Sequence, residues 1–241
     1  ALRGGGPSPE IASVVYPLPD REGLTDITVN FPLYNGVRRV EVGVKPGSLL
    51  GVPTPHTVPL PLGVYGSSIT QGACASRPGL CYAAHLARWI DAPMINTGCS
   101  GNGMGQPAMA DFLGSRPMSV LVMDYDYNAL SVDWLRDTHE PFFRRIREKQ
   151  PLLPVIFVSN PNPEREGVNR FARTGVIFET YQNARARGDR HVYFVDGAEL
   201  YGDSDRDSCT VDFLHPNDLG FYRMAERLRP VVEQALRECP D

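Results

Sequence analysis

From residue 62 onward, short apolar runs recur along the chain, and the longer stretches between them carry apolar residues at helical spacing. The runs at 62–66, 93–97, 118–124, 153–159 and 191–195 predict strands. The stretches at 79–91, 107–114, 133–149, about 169–187 and 217–238 predict helices. Runs such as Ser119-Val-Leu-Val-Met-Asp124 and Pro154-Val-Ile-Phe-Val158 are strongly apolar, as expected of a parallel sheet covered on both faces. Five βα repeats of this length predict a three-layer α/β domain over 62–241. Ahead of it the texture differs. Ile11–Tyr16, Thr25–Phe31 and Val37–Val44 are rich in β-branched residues, two of them alternate, and Pro and Gly clusters separate them. They predict a small antiparallel β-sheet segment within 1–61, with 46–61 as a Pro- and Gly-rich linker.

Composition narrows the class. With 241 residues, 42% apolar and 22% charged, the chain is suited to one large soluble domain, or one domain and part of a second. A formal charge of −4 without any Lys/Arg cluster argues against a nucleic-acid partner. No apolar run approaches a membrane span, so no membrane partner is expected. The chain starts Ala-Leu-Arg-Gly-Gly-Gly, with neither an initiator Met nor an apolar signal segment. A processed or partial start is expected, and the compartment, cytoplasmic or secreted, stays open together with the oligomeric state. Cys74, Cys81, Cys99, Cys209 and Cys239 form no Cys-x-x-Cys pair and the five histidines are scattered, so no metal is expected. Cys74 and Cys81 are close enough to bridge in an extracytoplasmic chain, and read equally well as reduced residues.

The candidate chemistry gathers at strand ends. Leu62-Gly-Val-Tyr-Gly-Ser-Ser68 is an apolar run ending on a turn, and the residue after a parallel strand stands at the carboxyl edge of the sheet, where open α/β sheets bind ligands. A serine hydroxyl there needs a base within hydrogen-bond reach, itself held in one tautomer by a carboxylate. Thr210-Val-Asp212-Phe-Leu-His215-Pro supplies both on one tight turn before the last helix. Alone, that turn could simply tie down the helix; with the strand-end serine upstream, catalysis is the stronger reading. A tetrahedral intermediate also needs donors aimed at its oxyanion. The second strand ends in Asn96-Thr-Gly-Cys-Ser-Gly101-Asn-Gly-Met-Gly105 and the third in Asp124-Tyr-Asp-Tyr-Asn128, offering backbone N–H groups and one amide.

In the order Gly66-Ser67-Ser68-Ile69, Gly101, Asn128, Asp212-x-x-His215, the chain resembles the SGNH/GDSL hydrolase superfamily, especially the subgroup with an N-terminal β-sandwich. The resemblance runs from about residue 32 to about 235. It implies a flavodoxin-like five-stranded parallel sheet, no metal and no cofactor. Ser68 would be the nucleophile, His215 the base and Asp212 its orienter. The Ser68 and Gly101 N–H groups and the Asn128 amide would form the oxyanion hole. Two departures stand out: Ser67 replaces the usual Asp, and Asp126-Tyr-Asn128 replaces the usual Gly-x-Asn-Asp block.

Other residues read both ways. Arg77 is suited to gripping a carboxylate or sugar hydroxyl, and equally to a structural salt bridge. Tyr125 and Tyr127 are suited to stacking on substrate, and equally to packing at a loop base. Asp124 and Asp126 resemble a carboxylate pair, but no second pair supports them. His85 reads as a packed or surface helix residue, and His56, His139 and His191 have no partner pattern. The function that follows is ester hydrolysis on a small-molecule or carbohydrate ester. Its nearest rival is transfer of the same acyl group to a sugar or natural-product hydroxyl. A flavodoxin-like phosphate or flavin binder using Ser67 to Gly72, and a non-catalytic carbohydrate-binding module, leave Asp212 and His215 without a task.

Overall fold

A computed structural model describes residues 15, 17, 23–161 and 169–239. The chain forms two compact units, Ala1–Pro55 and His56–Asp241. The second begins before residue 62, the expected boundary, because the end of the expected linker is bonded into it. His56 Nδ1 meets Asp91 Oδ1 at 2.8 Å, the Thr57 N–H and hydroxyl donate to Asp91 Oδ2 at 2.9 and 2.7 Å, and the Val58 N–H reaches the Asp91 carbonyl at 3.0 Å.

In this unit the strands are β1 (Leu62–Gly66), β2 (Met94–Gly98), β3 (Val120–Asp124), β4 (Val155–Val158) and β5 (Val192–Val195). They form one sheet in the order β2-β1-β3-β4-β5, with every neighbouring pair parallel. The helices are α1 (Ser68–Gln71), α2 (Tyr82–Trp89), α3 (Pro107–Gly114), α4 (Val132–Lys149), α5 (Arg170–Ala186) and α6 (Asp218–Glu238). This is the three-layer flavodoxin-like order expected from the sequence. Helix α2 starts later than predicted because Pro78–Leu80 close a 3-10 turn and Cys81 is extended.

The crossovers place α3, α4 and α5 together on one face and α2 with α6 on the other, as right-handed connections would. Strand alternation serves both. Leu121 and Met123 enter the core with Leu113, Phe142, Phe143 and Ile146. Asp124 turns the other way, accepting hydrogen bonds from Thr70 Oγ1 at 3.2 Å and Tyr82 Oη at 3.3 Å. Aromatic packing organises the first face: the Tyr65 ring stacks on Phe142 at 4.6 Å, and Tyr125 stacks on His139 at 5.5 Å. Burying each such large side chain contributes about 1.5–3 kcal/mol.

The N-terminal unit departs from expectation. The expected strand at 11–16 lies outside the described residues apart from Val15, and 25–31 and 37–44 form no strand. Their apolar side chains, among them Ile27, Val29, Phe31, Val40 and Val42, are exposed. β-propensity expresses itself only where a neighbouring strand and a buried face receive it, and among the described residues neither segment has one. Within the unit, Asp26 accepts from the Thr54 N–H and hydroxyl at 3.1 and 2.5 Å. No helix among the described residues is long and apolar enough to cross a membrane.

Candidate active site

Ser68 sits where β1 turns abruptly into α1. Gly66 makes the turn possible, since a Cβ there would lie 2.0 Å from both the Asp124 carbonyl oxygen and Thr70 Oγ1. Ser67 is extended and caps the helix, its hydroxyl accepting the Ile69 N–H at 3.2 Å. Gly72, at φ +101°, ends α1 after a single turn. The Ser67 and Thr70 hydroxyls are therefore spent inside the protein and do not form a phosphate cradle.

The opposing turn is equally constrained. Thr210 and Pro216 form an isolated antiparallel bridge, and the Val211 N–H donates to the His215 carbonyl at 3.0 Å. Asn217 caps α6 by accepting the Gly220 N–H at 3.1 Å and anchors the turn by donating to the Ser208 carbonyl at 2.8 Å. Asp212 Oδ1 accepts the Leu214 and His215 N–H groups at 3.0 and 2.7 Å. Its other oxygen, Oδ2, lies 2.7 Å from His215 Nδ1. That contact fixes the tautomer with the proton on Nδ1, leaving Nε2 to accept from Ser68 Oγ at 3.0 Å. The Asp212 carboxylate stays below its ordinary pKa: burial pushes it up, and the His215 imidazole and the backbone N–H groups outweigh that. The turn is open to water, with the Asp212 side chain 48% and the His215 side chain 23% exposed.

The two strand-end loops expected to supply donors meet beside this row. Among the N–H groups from Cys99 to Gly103, Cys99 donates to the Gly66 carbonyl at 2.9 Å and Ser100 to Gln71 Oε1 at 2.8 Å. Asn102 and Gly103 donate to the Cys99 carbonyl at 2.9 and 3.0 Å. Among the described residues, that leaves the Gly101 N–H without an acceptor. Gly101 has φ +69°, and nothing lies within 4 Å of where its Cβ would be. Asn128 Oδ1 accepts the Gly103 N–H at 3.2 Å, which leaves its Nδ2 as the outward donor.

Further residues hold the halves together that the sequence did not announce. Asp218, in the first turn of α6, accepts the Ser76 N–H at 2.9 Å and the Ser76 hydroxyl at 2.5 Å. A serine and an aspartate 142 positions apart carry no local signal of this contact.

The other candidates separate. Tyr125 is only 1% exposed, its hydroxyl 3.2 Å from Thr138 Oγ1, so it belongs to the core and not to a substrate surface. The expectation of stacking fails for it because it follows β3 on the α4 side of the sheet. Tyr127 is half-buried. Arg77 is exposed and, among the described residues, has no ion pair; the salt bridge read as its alternative is not formed. Asp124 and Asp126 are buried and built into the fold. Burial, then the Asp126 charge, drives Asp124 well above its ordinary pKa. Burial pushes Asp126 up to about 7 although Arg173 and the Asn160 N–H pull it down. His85 packs against Trp89 and Tyr222, His139 Nδ1 meets Thr180 Oγ1 at 2.9 Å, and His191 Nδ1 meets Cys239 Sγ at 3.0 Å. Among the described residues no group of His, Cys, Asp and Glu could hold a metal ion, and all five cysteines are free thiols.

A parallel sheet with a hydrogen-bonded Ser–His–Asp row on two turns at its carboxyl edge has the form of an α/β serine hydrolase. The chain belongs to the GDSL-like lipase/acylhydrolase family, whose profile matches residues 60–233. A search among curated proteins finds no match. Among solved structures it is similar to a protein described as a GDSL-like lipase from Bacteroides ovatus, with TM-score 0.67 and 33% identity over 76% of this chain and 55% of that one. It is also similar to SsfX3, a salicylyl-acyltransferase from a tetracycline biosynthetic pathway, with TM-score 0.64 and 20% identity over 76% of this chain and 57% of that one. At that identity the likeness to SsfX3 concerns the fold alone. A two-domain esterase active on acetylated mannans gives TM-score 0.58 and 27% identity over 76% of this chain and 51% of that one. The chain thus spans little more than half the length of these relatives.

Proposed function

We propose that the chain is a serine-dependent carboxylic ester hydrolase acting through an acyl-enzyme on short acyl esters of carbohydrates or glycosides. The observation that carries the reading is the continuous row from Ser68 Oγ to His215 Nε2 at 3.0 Å and from His215 Nδ1 to Asp212 Oδ2 at 2.7 Å. Ser68 Oγ attacks the acyl carbon while Nε2 takes its proton. Asp212, held ionised, steadies the imidazolium, and Nε2 then hands the proton to the departing alcohol oxygen. The oxyanion is received by the Ser68 and Gly101 N–H groups and by Asn128 Nδ2. Water, activated by the same nitrogen, cleaves the acyl-enzyme and returns Ser68.

The exposure of Asp212 and His215 supports water as the second acceptor, since a solvent-open base reaches water without a gate. The carbohydrate alcohol is supported by the likeness to the esterase acting on acetylated mannans. Arg77, exposed on the segment that Ser76 pins to Asp218, is available to a polar group of the substrate. A likeness to the subgroup with an N-terminal β-sandwich is supported by Ser67 in place of the usual Asp and by the β-branched residues of 11–16, 25–31 and 37–44.

Hydrolysis of a short chromogenic ester by the wild type, Ser68→Ala and His215→Ala tests the reading. Turnover well above background, falling by at least about 10³-fold in each variant, is expected. A wild type that neither turns over the ester nor forms a fluorophosphonate adduct on Ser68 refutes it. An adduct without hydrolysis moves the reading to acyl transfer.

A further inference from the structure

The turn that carries Asp212 and His215 also holds a residue the fold has no use for. Phe213 has φ +61°, in the left-handed region. A bulky residue is an outlier there, whereas glycine adopts the same backbone without steric cost. Among the described residues no ring contact involves Phe213. Phe213 is 80% exposed, and Val211, two residues earlier, is 56% exposed. The bonds that shape the turn run from the Leu214 and His215 N–H groups to Asp212 Oδ1 and from the Val211 N–H to the His215 carbonyl; none needs the Phe213 ring. A strained residue that gives the free protein nothing in return marks a place where the gain comes on binding.

The direction of proton transfer says which part of an ester would meet this ring. His215 Nε2 faces Ser68 Oγ at 3.0 Å, and a base in that position gives its proton to the leaving alcohol. The alcohol part of the substrate therefore lies against the His215 turn, while the carbonyl oxygen points toward Gly101 and Asn128 after β2 and β3. Phe213 is on that turn, two residues before His215. We infer that Phe213 is a specificity-determining platform that stacks on the apolar face of a pyranose ring bearing the ester. The inference rests on the esterase reading above and adds to it which residue selects the alcohol.

The test compares two acetate esters, methyl 6-O-acetyl-glucopyranoside and ethyl acetate, with the wild type, Phe213→Gly and Phe213→Trp. Glycine suits φ +61°, so Phe213→Gly keeps the fold, checked by a melting temperature at or above that of the wild type. Phe213→Gly is expected to lower kcat/KM for the sugar ester about threefold to tenfold, mainly through KM, with ethyl acetate unchanged. Phe213→Trp is expected to keep the preference. Equal losses on both esters, or no loss on either, overturn the platform while leaving the esterase reading intact. A wild type inactive on both overturns the esterase reading and the platform with it.

Discussion

Replacing the Asn128 amide by a carboxylate, Asn128→Asp, tests the proposed oxyanion site with almost no change of shape. One carboxylate oxygen would still accept the Gly103 N–H that Asn128 Oδ1 now accepts at 3.2 Å, so the loop after β2 keeps its tie to the turn after β3. What changes is the outward atom, from an amide donor to a carboxylate oxygen. Losing one oxyanion donor costs about 3–4 kcal/mol. Placing one negative charge about 3 Å from another in a partly buried site adds about 5 kcal/mol at an effective dielectric of about 20. Together these predict a fall in kcat of at least about 10⁴-fold, with KM little altered because the charge develops only on the way to the tetrahedral intermediate. The assay is steady-state hydrolysis of a chromogenic acetate at one fixed pH, with Asn128→Ala alongside to separate the lost donor from the added charge. Asn128→Ala is expected to lose about 10²–10³-fold. If Asn128→Asp keeps kcat within about tenfold of the wild type, a loss smaller than one donor is worth, Asn128 does not face the oxyanion and the third donor must be sought elsewhere.

Three further outcomes follow from the packing and charge of this domain. In Gly103→Ala the new Cβ would fall 2.2 Å from the Gly66 carbonyl oxygen, backbone against backbone; a loss of about 1–3 kcal/mol and a fall in kcat/KM are expected by thermal melting and ester assay, and wild-type values of both would refute the close approach. Asp126, raised by burial to about 7 from an ordinary 3.8, stabilises the fold fully below about pH 4 and withdraws that support as pH rises toward 7. Because His139 pulls the other way, the test is the difference: denaturant unfolding should show Asp126→Asn gaining stability relative to the wild type as pH rises from about 5 to 7, and a difference that does not change with pH would sink the assignment. His139, held down to about 3 by its burial, acts with the opposite sign, losing stability as pH drops from about 6.5 toward 3.

The sheet was legible because its central strands β1, β3 and β4 are apolar and buried along their length and its helices periodic, so burial on both faces and local pattern agree. The Ser68, Asp212 and His215 row was legible because each part ends a predicted strand or opens a predicted helix, and strand ends share one edge. Failures occurred where partners decide. The segments 25–31 and 37–44 have strand-like residues, yet among the described residues no neighbouring strand receives them. Tyr125 looked available beside Asn128, but His139 and Phe142 on α4 enclose its ring, a contact across elements that no local pattern encodes. Phe213 adopts a backbone that usually advertises itself through glycine, so the tight turn around it left no mark in the sequence.

Ser68 and His215 stand 147 positions apart, and the base lies just before the last helix, which packs on α2 and is pinned to Ser76 through Asp218. During synthesis most of the sheet is available long before that helix leaves the ribosome. Until α6 docks, Ser68 Oγ lacks its partner His215 Nε2. On the proposed mechanism, reactivity arrives with the completed fold, because the turn that carries His215 is anchored to the start of α6 through Asn217.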